Sequence, residues 1–165
     1  MIQKKICILG AAGVGKTSLT AQFVYSKFSE KYLSTMGVKI DKKVVTVDDT
    51  SVNLMIWDIH GEDKYKKITN SYLRGSAGIL TVIDGTRAET IQTAYEILER
   101  VHRDIGKIPN IFLLNKHDLS DAWDINEQAL AELKKYGNPI YTTSAKTGEH
   151  VDSSFQKLTK MLIKP

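Results

Sequence analysis

Short apolar runs rich in β-branched residues alternate along the chain with longer segments whose apolar residues recur at helical spacing. The apolar runs predict strands at Lys5–Gly10, Val38–Val47, Ser51–Asp58, Gly78–Asp84, Asn110–Asn115 and Ile140–Thr143. The helical spacing predicts helices at Thr17–Tyr25, Thr90–Ile105, Ile125–Tyr136 and Val151–Ile163. Strands that alternate with helices in this way are typical of an α/β domain built on a parallel sheet.

The strands differ in how much of their surface the pattern buries. Gly78–Asp84 and Asn110–Asn115 are nearly continuous apolar runs, as expected of strands covered on both faces. The second strand alternates along residues 44–47, which suits a position nearer the sheet edge, and ends in the turn Asp48-Asp49-Thr50. Because no internal repeat and no linker-like stretch interrupts the chain, we expect a single domain spanning residues 1–165.

The composition is that of a globular protein, with 42% hydrophobic residues, 25% charged residues and only three prolines. The net charge of +4 is mildly basic, but the lysines are dispersed rather than gathered on one face. The charge alone is therefore a poor argument for a nucleic-acid partner, and we expect none. It is equally compatible with an anionic small ligand and with an anionic membrane surface.

Cysteine content and the ends of the sequence bear on location. The only cysteine, Cys7, lies in an apolar run, so we expect a buried strand residue, no disulfide and a reducing compartment. No window approaches the roughly 18 apolar residues of a membrane span. The first residues lack a signal peptide and the second-position glycine of a myristoylated protein, and no cysteine near Pro165 could carry a prenyl group. The expectation is a cytoplasmic protein whose membrane association, if any, is peripheral.

The segment Gly10–Thr17 matches the phosphate-binding pattern of Gly, four residues, then Gly-Lys-Ser/Thr, and it lies between a predicted strand and a predicted helix. Its glycines let successive backbone N–H groups point at phosphate oxygens, and the helix adds the positive end of its dipole. Lys16 supplies charge for the outer phosphates, and the Thr17 hydroxyl is a candidate Mg²⁺ ligand. The residues expected to bind phosphate are Gly13, Val14, Gly15, Lys16, Thr17 and Ser18.

A second motif, Asn115-Lys116-His117-Asp118, follows a predicted buried strand and is a candidate site for recognising the base of a nucleotide. Asp118 can accept two hydrogen bonds from the adjacent N–H and NH₂ of guanine, whereas adenine offers no matching pair of donors. Such a mismatch can discriminate by roughly 10⁴-fold. The Lys116 stem can lie along the ring, and Asn115 can tie this loop to the phosphate loop. In Ser144-Ala145-Lys146, after the last strand, the Ala145 N–H could meet the guanine carbonyl oxygen.

Taken in order, these motifs resemble those of the Ras-superfamily small GTPases, over nearly the whole chain. The matching positions are Gly10–Thr17, Thr35, Asp58–Gly61, Asn115–Asp118 and Ser144–Lys146. Within that superfamily the Rab branch is most similar, on Phe28–Val38, Ile68–Gly75 and the Trp57 that precedes Asp58. The resemblance implies the P-loop NTPase small G-protein fold, an α/β fold with a six-stranded, mostly parallel sheet flanked by five helices.

The resemblance also implies a function. It is that of a switch which binds GTP or GDP with Mg²⁺, hydrolyses GTP slowly, and changes conformation in two switch segments near residues 28–40 and 58–75. Effectors, an exchange factor and an activating protein would bind a monomeric protein through these segments.

Individual residues take roles from the same resemblance. Phe28 packs against the base, Tyr32 contacts the nucleotide, and Thr35 senses the γ-phosphate through Mg²⁺. Asp58 can hold Mg²⁺ through a water, and the Gly61 N–H can contact the γ-phosphate. Loss of that phosphate would release the loops of Thr35 and Gly61 together.

One departure from the family pattern bears on hydrolysis. The family usually has Asp-Thr-Ala-Gly-Gln-Glu where this chain has Asp58-Ile59-His60-Gly61-Glu62-Asp63. Gln orients the attacking water by donating and accepting hydrogen bonds, whereas an ionised Glu62 only accepts and adds negative charge near the γ-phosphate. Either Glu62 still positions water, or the protein is a pseudo-GTPase interaction module that hydrolyses little. The residues assigned to catalysis are Glu62, Gly61, Lys16 and Thr35.

Further departures concern regulation. Ala12 stands where many relatives have Gly or Ser, near the entry of an arginine supplied by an activating protein, so the response to such a protein is in question. We interpret Arg74 and Arg87 as surface residues and expect no internal arginine at the phosphates. Rab proteins usually continue to prenylated cysteines, so this chain, ending at Pro165, is either unlipidated or a piece of a longer protein. An ATP-using P-loop kinase is the weakest alternative, since no lid or acceptor site is evident.

Overall fold

The computed structural model describes residues 1–29, 37–59 and 70–164. Within these ranges the strands are β1 (Ile2–Gly10), β2 (Val38–Val47), β3 (Thr50–Ile59), β4 (Gly78–Asp84), β5 (Asn110–Asn115) and β6 (Ile140–Thr142). The helices are α1 (Lys16–Tyr25), α2 (Asn70–Leu73), α3 (Glu89–Asp104), α4 (Glu127–Lys134) and α5 (Val151–Ile163). A short 3₁₀ turn covers Ser120–Ala122.

The six strands form one sheet in the order β2-β3-β1-β4-β5-β6. Every neighbouring pair is parallel except β2 and β3, which are antiparallel. The expected fold is therefore confirmed: an α/β domain with a mostly parallel six-stranded sheet and, in the described ranges, five helices. No helix in those ranges is long and apolar enough to cross a membrane.

The edge position of the second strand is confirmed, and so is the turn at Asp48-Asp49, whereas Thr50, predicted to lie in the turn, begins β3. Val47 pairs with Thr50, which leaves Asp48 and Asp49 as a two-residue loop with φ of 49° and 63°. Positive φ at both central residues is the geometry that matches the twist of an antiparallel hairpin. β2 lies at the sheet edge, and along it Val45 is buried while its neighbour Val44 is exposed.

Two apolar layers cover the sheet. On one face α1 and α5 pack together, and the Phe23 ring stacks on Phe155 with 4.0 Å between centroids. On the other face α3 and α4 cover the sheet, and α3 buries Ile91, Ala94, Leu98 and Val101 at the predicted helical spacing. Cys7 is fully buried in β1, as predicted.

Element ends differ from the predictions by a few residues where local hydrogen bonds decide them. Helix α4 begins at Glu127, rather than at Ile125, because the Asn126 side chain accepts a hydrogen bond from Ala129 N at 2.8 Å and caps the helix. β1 begins at Ile2, earlier than predicted, because Ile2 pairs with Val52 of β3. Such pairings are invisible to a pattern read along one strand.

The parallel strands end at one edge of the sheet. β1, β3, β4, β5 and β6 all run in the same direction, so the residues after each strand meet there. Open α/β sheets bind their ligands at this carboxyl edge. Both predicted motifs start there, at the ends of β1 and β5.

Candidate functional site

The phosphate loop runs from the end of β1 at Gly10 to the start of α1 at Lys16. Gly15 stands at the N-cap position with φ of 106°, a left-handed conformation that L side chains rarely adopt. A Cβ at Gly15 would also collide with Asn115 Nδ2. Gly15 has no side chain with which to cap α1, and an uncapped helix start suits an anion.

Lys16 is folded back along its own loop. Its Nζ donates to Gly10 O at 3.3 Å and to Ala11 O at 3.1 Å, and the residue is 6% exposed. Burial lowers the Lys16 pKa to about 8; Asp58 opposes this shift, and the positive charge of Arg87 adds to it. Lys16 is therefore still mostly cationic at neutral pH and provides positive charge within the loop.

Thr17 and Asp58 meet at the start of α1. The Thr17 hydroxyl donates to Asp58 Oδ2 at 2.6 Å, and Asp58 Oδ1 is buried with no hydrogen-bond partner in the described residues. Burial raises the Asp58 pKa, and the bonds and charges of Thr17 and Lys16 offset part of that rise. A buried carboxylate oxygen with no partner, beside a hydroxyl and a phosphate loop, suits Mg²⁺, which binds one or two carboxylates together with phosphate oxygens.

The base motif is bonded directly to the phosphate loop. Asn115 Nδ2 donates to Val14 O at 3.0 Å, and Lys116 Nζ donates to Gly13 O at 2.8 Å. Asn115 is oriented in turn by the Thr143 hydroxyl, which donates to Asn115 Oδ1 at 3.1 Å. The expected tie between Asn115 and the phosphate loop is thus present, and the two loops form one continuous surface.

Asp118 and the Ser144–Lys146 loop lie together beyond β5 and β6. The Ser144 hydroxyl donates to Asp118 Oδ1 at 2.7 Å, and Asp118 itself is exposed and open to a ligand. Ala145 is buried, and its carbonyl accepts a bond from Gln22 Nε2 at 2.9 Å. Lys146 is exposed. Ser144 orients the carboxylate that is expected to read the base.

The free position of the base motif has a contact that the sequence did not suggest. His117 Nδ1 lies 2.9 Å from Glu149 Oε1, and its ring meets the Trp123 ring edge-on at 5.0 Å. His117 N also donates to Thr143 O at 3.0 Å. These contacts hold the loop after β5 against the loop after β6. The sequence offers only the histidine beside Asp118 as a signal for this contact.

Arg87 is partly exposed, in line with its interpretation as a surface residue, but it also makes contacts that the sequence did not suggest. Its Nε lies 2.9 Å from Asp84 Oδ2, and its Nη2 donates to Ala12 O at 2.9 Å, although the side chain keeps 40% of its exposure. The reason is its position just after β4, the strand beside β1, which brings it next to the phosphate loop. Arg74, in contrast, is exposed as predicted.

The remaining predicted site residues are Phe28, Ser18 and residues of the two switch segments. Phe28 is 39% exposed, and Ser18 is half-buried in the first turn of α1. Tyr32, Thr35, Gly61 and Glu62 lie outside the described residues, as do most of the two predicted switch segments.

Comparisons with known proteins bear on the family of the chain. The model of the Ras family matches residues 5–164. The Ras-related protein Rab-13 of Canis lupus familiaris is 29% identical over 96% of this chain and 79% of its own. Ras-related protein Rab-1 of Theileria parva is 33% identical over 96% of this chain and 73% of its own. Ras-related protein Rab-7b of Mus musculus is 32% identical, over 95% and 81% respectively.

Proposed function

The chain belongs to the Ras family as a Rab-like small GTPase, and from this premise we propose that residues of one continuous site bind GTP or GDP with Mg²⁺ and operate a switch. The observation that carries the proposal is the pair of bonds from Asn115 to Val14 and from Lys116 to Gly13. They join a phosphate-binding loop to a loop that presents a carboxylate for the base. A ligand that spans both loops must carry phosphate at one end and a hydrogen-bond donor pair at the other.

Asp118 makes guanine the base of choice. A carboxylate held by Ser144 accepts from the two adjacent donors of guanine, and with adenine it would be left unpaired beside the ring. Ala145 supports the same choice, because its N–H could donate to the guanine carbonyl oxygen. Asp118, Ser144 and Ala145 are therefore proposed as the residues of base recognition, with Phe28 and the Lys116 stem against the ring.

Thr17 and Asp58 would hold Mg²⁺, together with Thr35 of the first switch segment. The unpartnered Asp58 Oδ1 supports this assignment within the described residues. The ion, when bound, neutralises charge on the outer phosphates. The chain's own contribution would be the positive charge of Lys16, beside the same phosphates, and the N–H groups at the start of α1.

Hydrolysis by the family is the attack of water on the γ-phosphorus, which breaks its bond to the bridging oxygen and releases GDP and phosphate. We assign Glu62, Gly61, Lys16 and Thr35 to this step. The second candidate function, a pseudo-GTPase interaction module, is favoured by Glu62 itself, because a carboxylate there cannot donate to the water. The two candidates predict different rates from the same loaded protein.

Single-turnover hydrolysis of GTP by the wild type, Glu62→Gln and Glu62→Ala separates them. A working Glu62 predicts measurable turnover that falls in Glu62→Ala. The pseudo-GTPase predicts tight GTP binding with no phosphate release in the wild type, and a gain of turnover in Glu62→Gln. Equal rates in all three proteins would remove Glu62 from the chemistry.

Effectors, an exchange factor and an activating protein would bind near residues 28–40 and 58–75. Two apolar side chains support this surface: Ile40 is 45% exposed and pairs across the sheet with the half-buried Trp57. A monomer in the cytoplasm, peripheral to membranes, suits such a role.

The switch itself is tested through tryptophan fluorescence. Trp57 precedes Asp58, so its environment is expected to differ between protein loaded with GDP and protein loaded with a non-hydrolysable GTP analogue. We expect an emission difference that disappears in Trp57→Phe and persists in Trp123→Phe, the matched control among the two tryptophans. Identical spectra for both nucleotides would contradict a switch.

A further inference from the structure

We propose that Arg87 and Asp84 are positioning residues of the phosphate loop, which fix the peptide between Ala12 and Gly13 so that its N–H faces the phosphates. This inference rests on the proposed function, because the phosphates are those of the guanine nucleotide. It adds a third connection to the loop, besides those from Asn115 and Lys116.

Asp84 is the centre of this arrangement. It is the last residue of β4, its side chain is 1% exposed, and its Oδ2 lies 2.9 Å from Arg87 Nε and 2.9 Å from Lys116 Nζ. Its other oxygen accepts bonds from Thr86 N at 2.9 Å and from the Thr86 hydroxyl at 2.6 Å. A buried carboxylate with all these donors fixes two cations in place, because the loss of either cation would leave its buried negative charge less well compensated.

Each of the two cations also donates one bond to the phosphate loop. Arg87 Nη2 donates to Ala12 O at 2.9 Å, and Lys116 Nζ donates to Gly13 O at 2.8 Å. One carboxylate therefore directs two positive side chains, from separate parts of the chain, to successive carbonyls. Asn115 bonds the next carbonyl, that of Val14, at 3.0 Å.

The planar peptide bond relates these hydrogen bonds at the loop carbonyls to the direction of the loop N–H groups. In a planar trans peptide, the C=O of one residue and the N–H of the next point in opposite directions. Bonds to the carbonyls of Ala12, Gly13 and Val14 therefore aim the N–H groups of Gly13, Val14 and Gly15 away from Arg87, Lys116 and Asn115. Those N–H groups face the cradle in which phosphate oxygens bind.

Arginine is the residue that this position requires. Its planar guanidinium offers donors in fixed and different directions, so that Nε can serve Asp84 while Nη2 serves Ala12. A lysine there has one ammonium at the end of a flexible stem and cannot reproduce both bonds in that fixed geometry. Arg87→Lys keeps a cation for Asp84 but loses the second bond, to Ala12 O.

The release of fluorescently labelled GDP, measured in the full chain with Mg²⁺, tests the proposal. We expect Arg87→Ala to release GDP about tenfold faster than the wild type, the size of one lost bond to a charged group. Arg87→Lys should also release faster while keeping the thermal midpoint near that of the wild type. Arg103→Ala is the matched control, since Arg103 is 70% exposed and its ion pair within the described residues is with its neighbour Asp104.

A second readout separates loop positioning from general stability. The phosphorus NMR resonance of the bound GDP β-phosphate should move in both Arg87 variants and stay in place in Arg103→Ala. If Arg87→Ala does not fold, Arg87→Lys supplies both readouts. If the Arg87 variants release GDP at the wild-type rate and the β-phosphate resonance does not move, the proposal is overturned. Faster release without a shift of that resonance overturns it as well. A wild type that fails to bind GDP overturns the proposed function instead.

Discussion

Asn115 shows how much of this site depends on single side chains. Its amide bonds Val14 across 101 residues of sequence and is oriented by Thr143. The approach is close enough that any side chain at Gly15 would collide with it. The loop glycine and the strand-end asparagine therefore form one geometric requirement, although the sequence presents them as two separate motifs.

Gly15→Ala should lower the affinity for GDP at least about tenfold, because the new methyl displaces Asn115 and removes its bond to Val14. Calorimetric titration with GDP measures the change. Gly106→Ala is a matched control, since Gly106 has φ of 119° but no heavy atom near its missing Cβ. Equal losses in both variants would mean that backbone strain, and not the contact with Asn115, sets the affinity.

Asp84 also predicts a pH dependence of stability. Its pKa is lowered from 3.8: burial raises it, but the bonds from Lys116, Thr86 and Arg87 outweigh burial. A group whose pKa is lower in the folded state stabilises the fold above its ordinary pKa, and that contribution is lost as the pH falls through the folded value. Asp84→Asn should therefore cost on the order of 2 kcal/mol at pH 7, and the difference should shrink below about pH 4.

Denaturant unfolding of both proteins between pH 7 and pH 2 checks this, with Asp121→Asn as a control for the loss of one exposed carboxylate. A difference between wild type and Asp84→Asn that stays constant over the whole range would contradict the assignment.

The sequence predicted the contacts whose residues stand in local motifs, and it missed those that depend on the order of the strands in the sheet. Lys16, Thr17 and Asp118 stand in local patterns whose chemistry is visible along the chain. The bond between Arg87 and Ala12 spans 75 residues and exists because β4 lies beside β1. An arginine three residues past the end of a strand has no local feature that separates this role from that of an ordinary surface residue.

Among the elements, the β2–β3 hairpin was predicted most fully from the sequence. Alternation set the edge strand, and the Asp48-Asp49 pair set the turn. Helix α4 was predicted less well, because Ile125 continues the apolar spacing but the Asn126 cap decides the first turn. Within the described ranges helix α2 covers Asn70–Leu73, a stretch too short to give a helical period in the sequence.

The turn makes a prediction at this scale. Asp49 has φ of 63°, which glycine adopts at less cost than aspartate, so Asp49→Gly should raise the free energy of unfolding by about 0.5 kcal/mol. Asp48→Gly should gain less, because Asp48 pairs with Lys160 and Lys164 at 3.7 Å and 3.9 Å. Thermal unfolding of the two variants compares them. A larger gain in Asp48→Gly would contradict the role given to the turn.

At the scale of the whole molecule, the sheet order brings distant motifs to one edge. The phosphate loop follows β1, Asp58 lies near the end of β3, Asp84 ends β4, and the base motif begins at the end of β5. Because these strands are parallel, all four features meet at one edge of the sheet. The alternation of strands and helices predicts this class of sheet, but it does not give the strand order. The resemblance to the family implied six strands in a mostly parallel sheet; the structure confirms this and supplies the strand order.

The central claim, a guanine-nucleotide site built on Asp118, is tested by competition. Labelled GDP bound to the protein with Mg²⁺ is displaced by unlabelled GDP, GTP or ADP. We expect GDP and GTP to compete at similar concentrations and ADP only at concentrations roughly 10⁴-fold higher, with most of that difference lost in Asp118→Ala. Failure to bind labelled GDP, or displacement by ADP as readily as by GDP, would contradict the assignment.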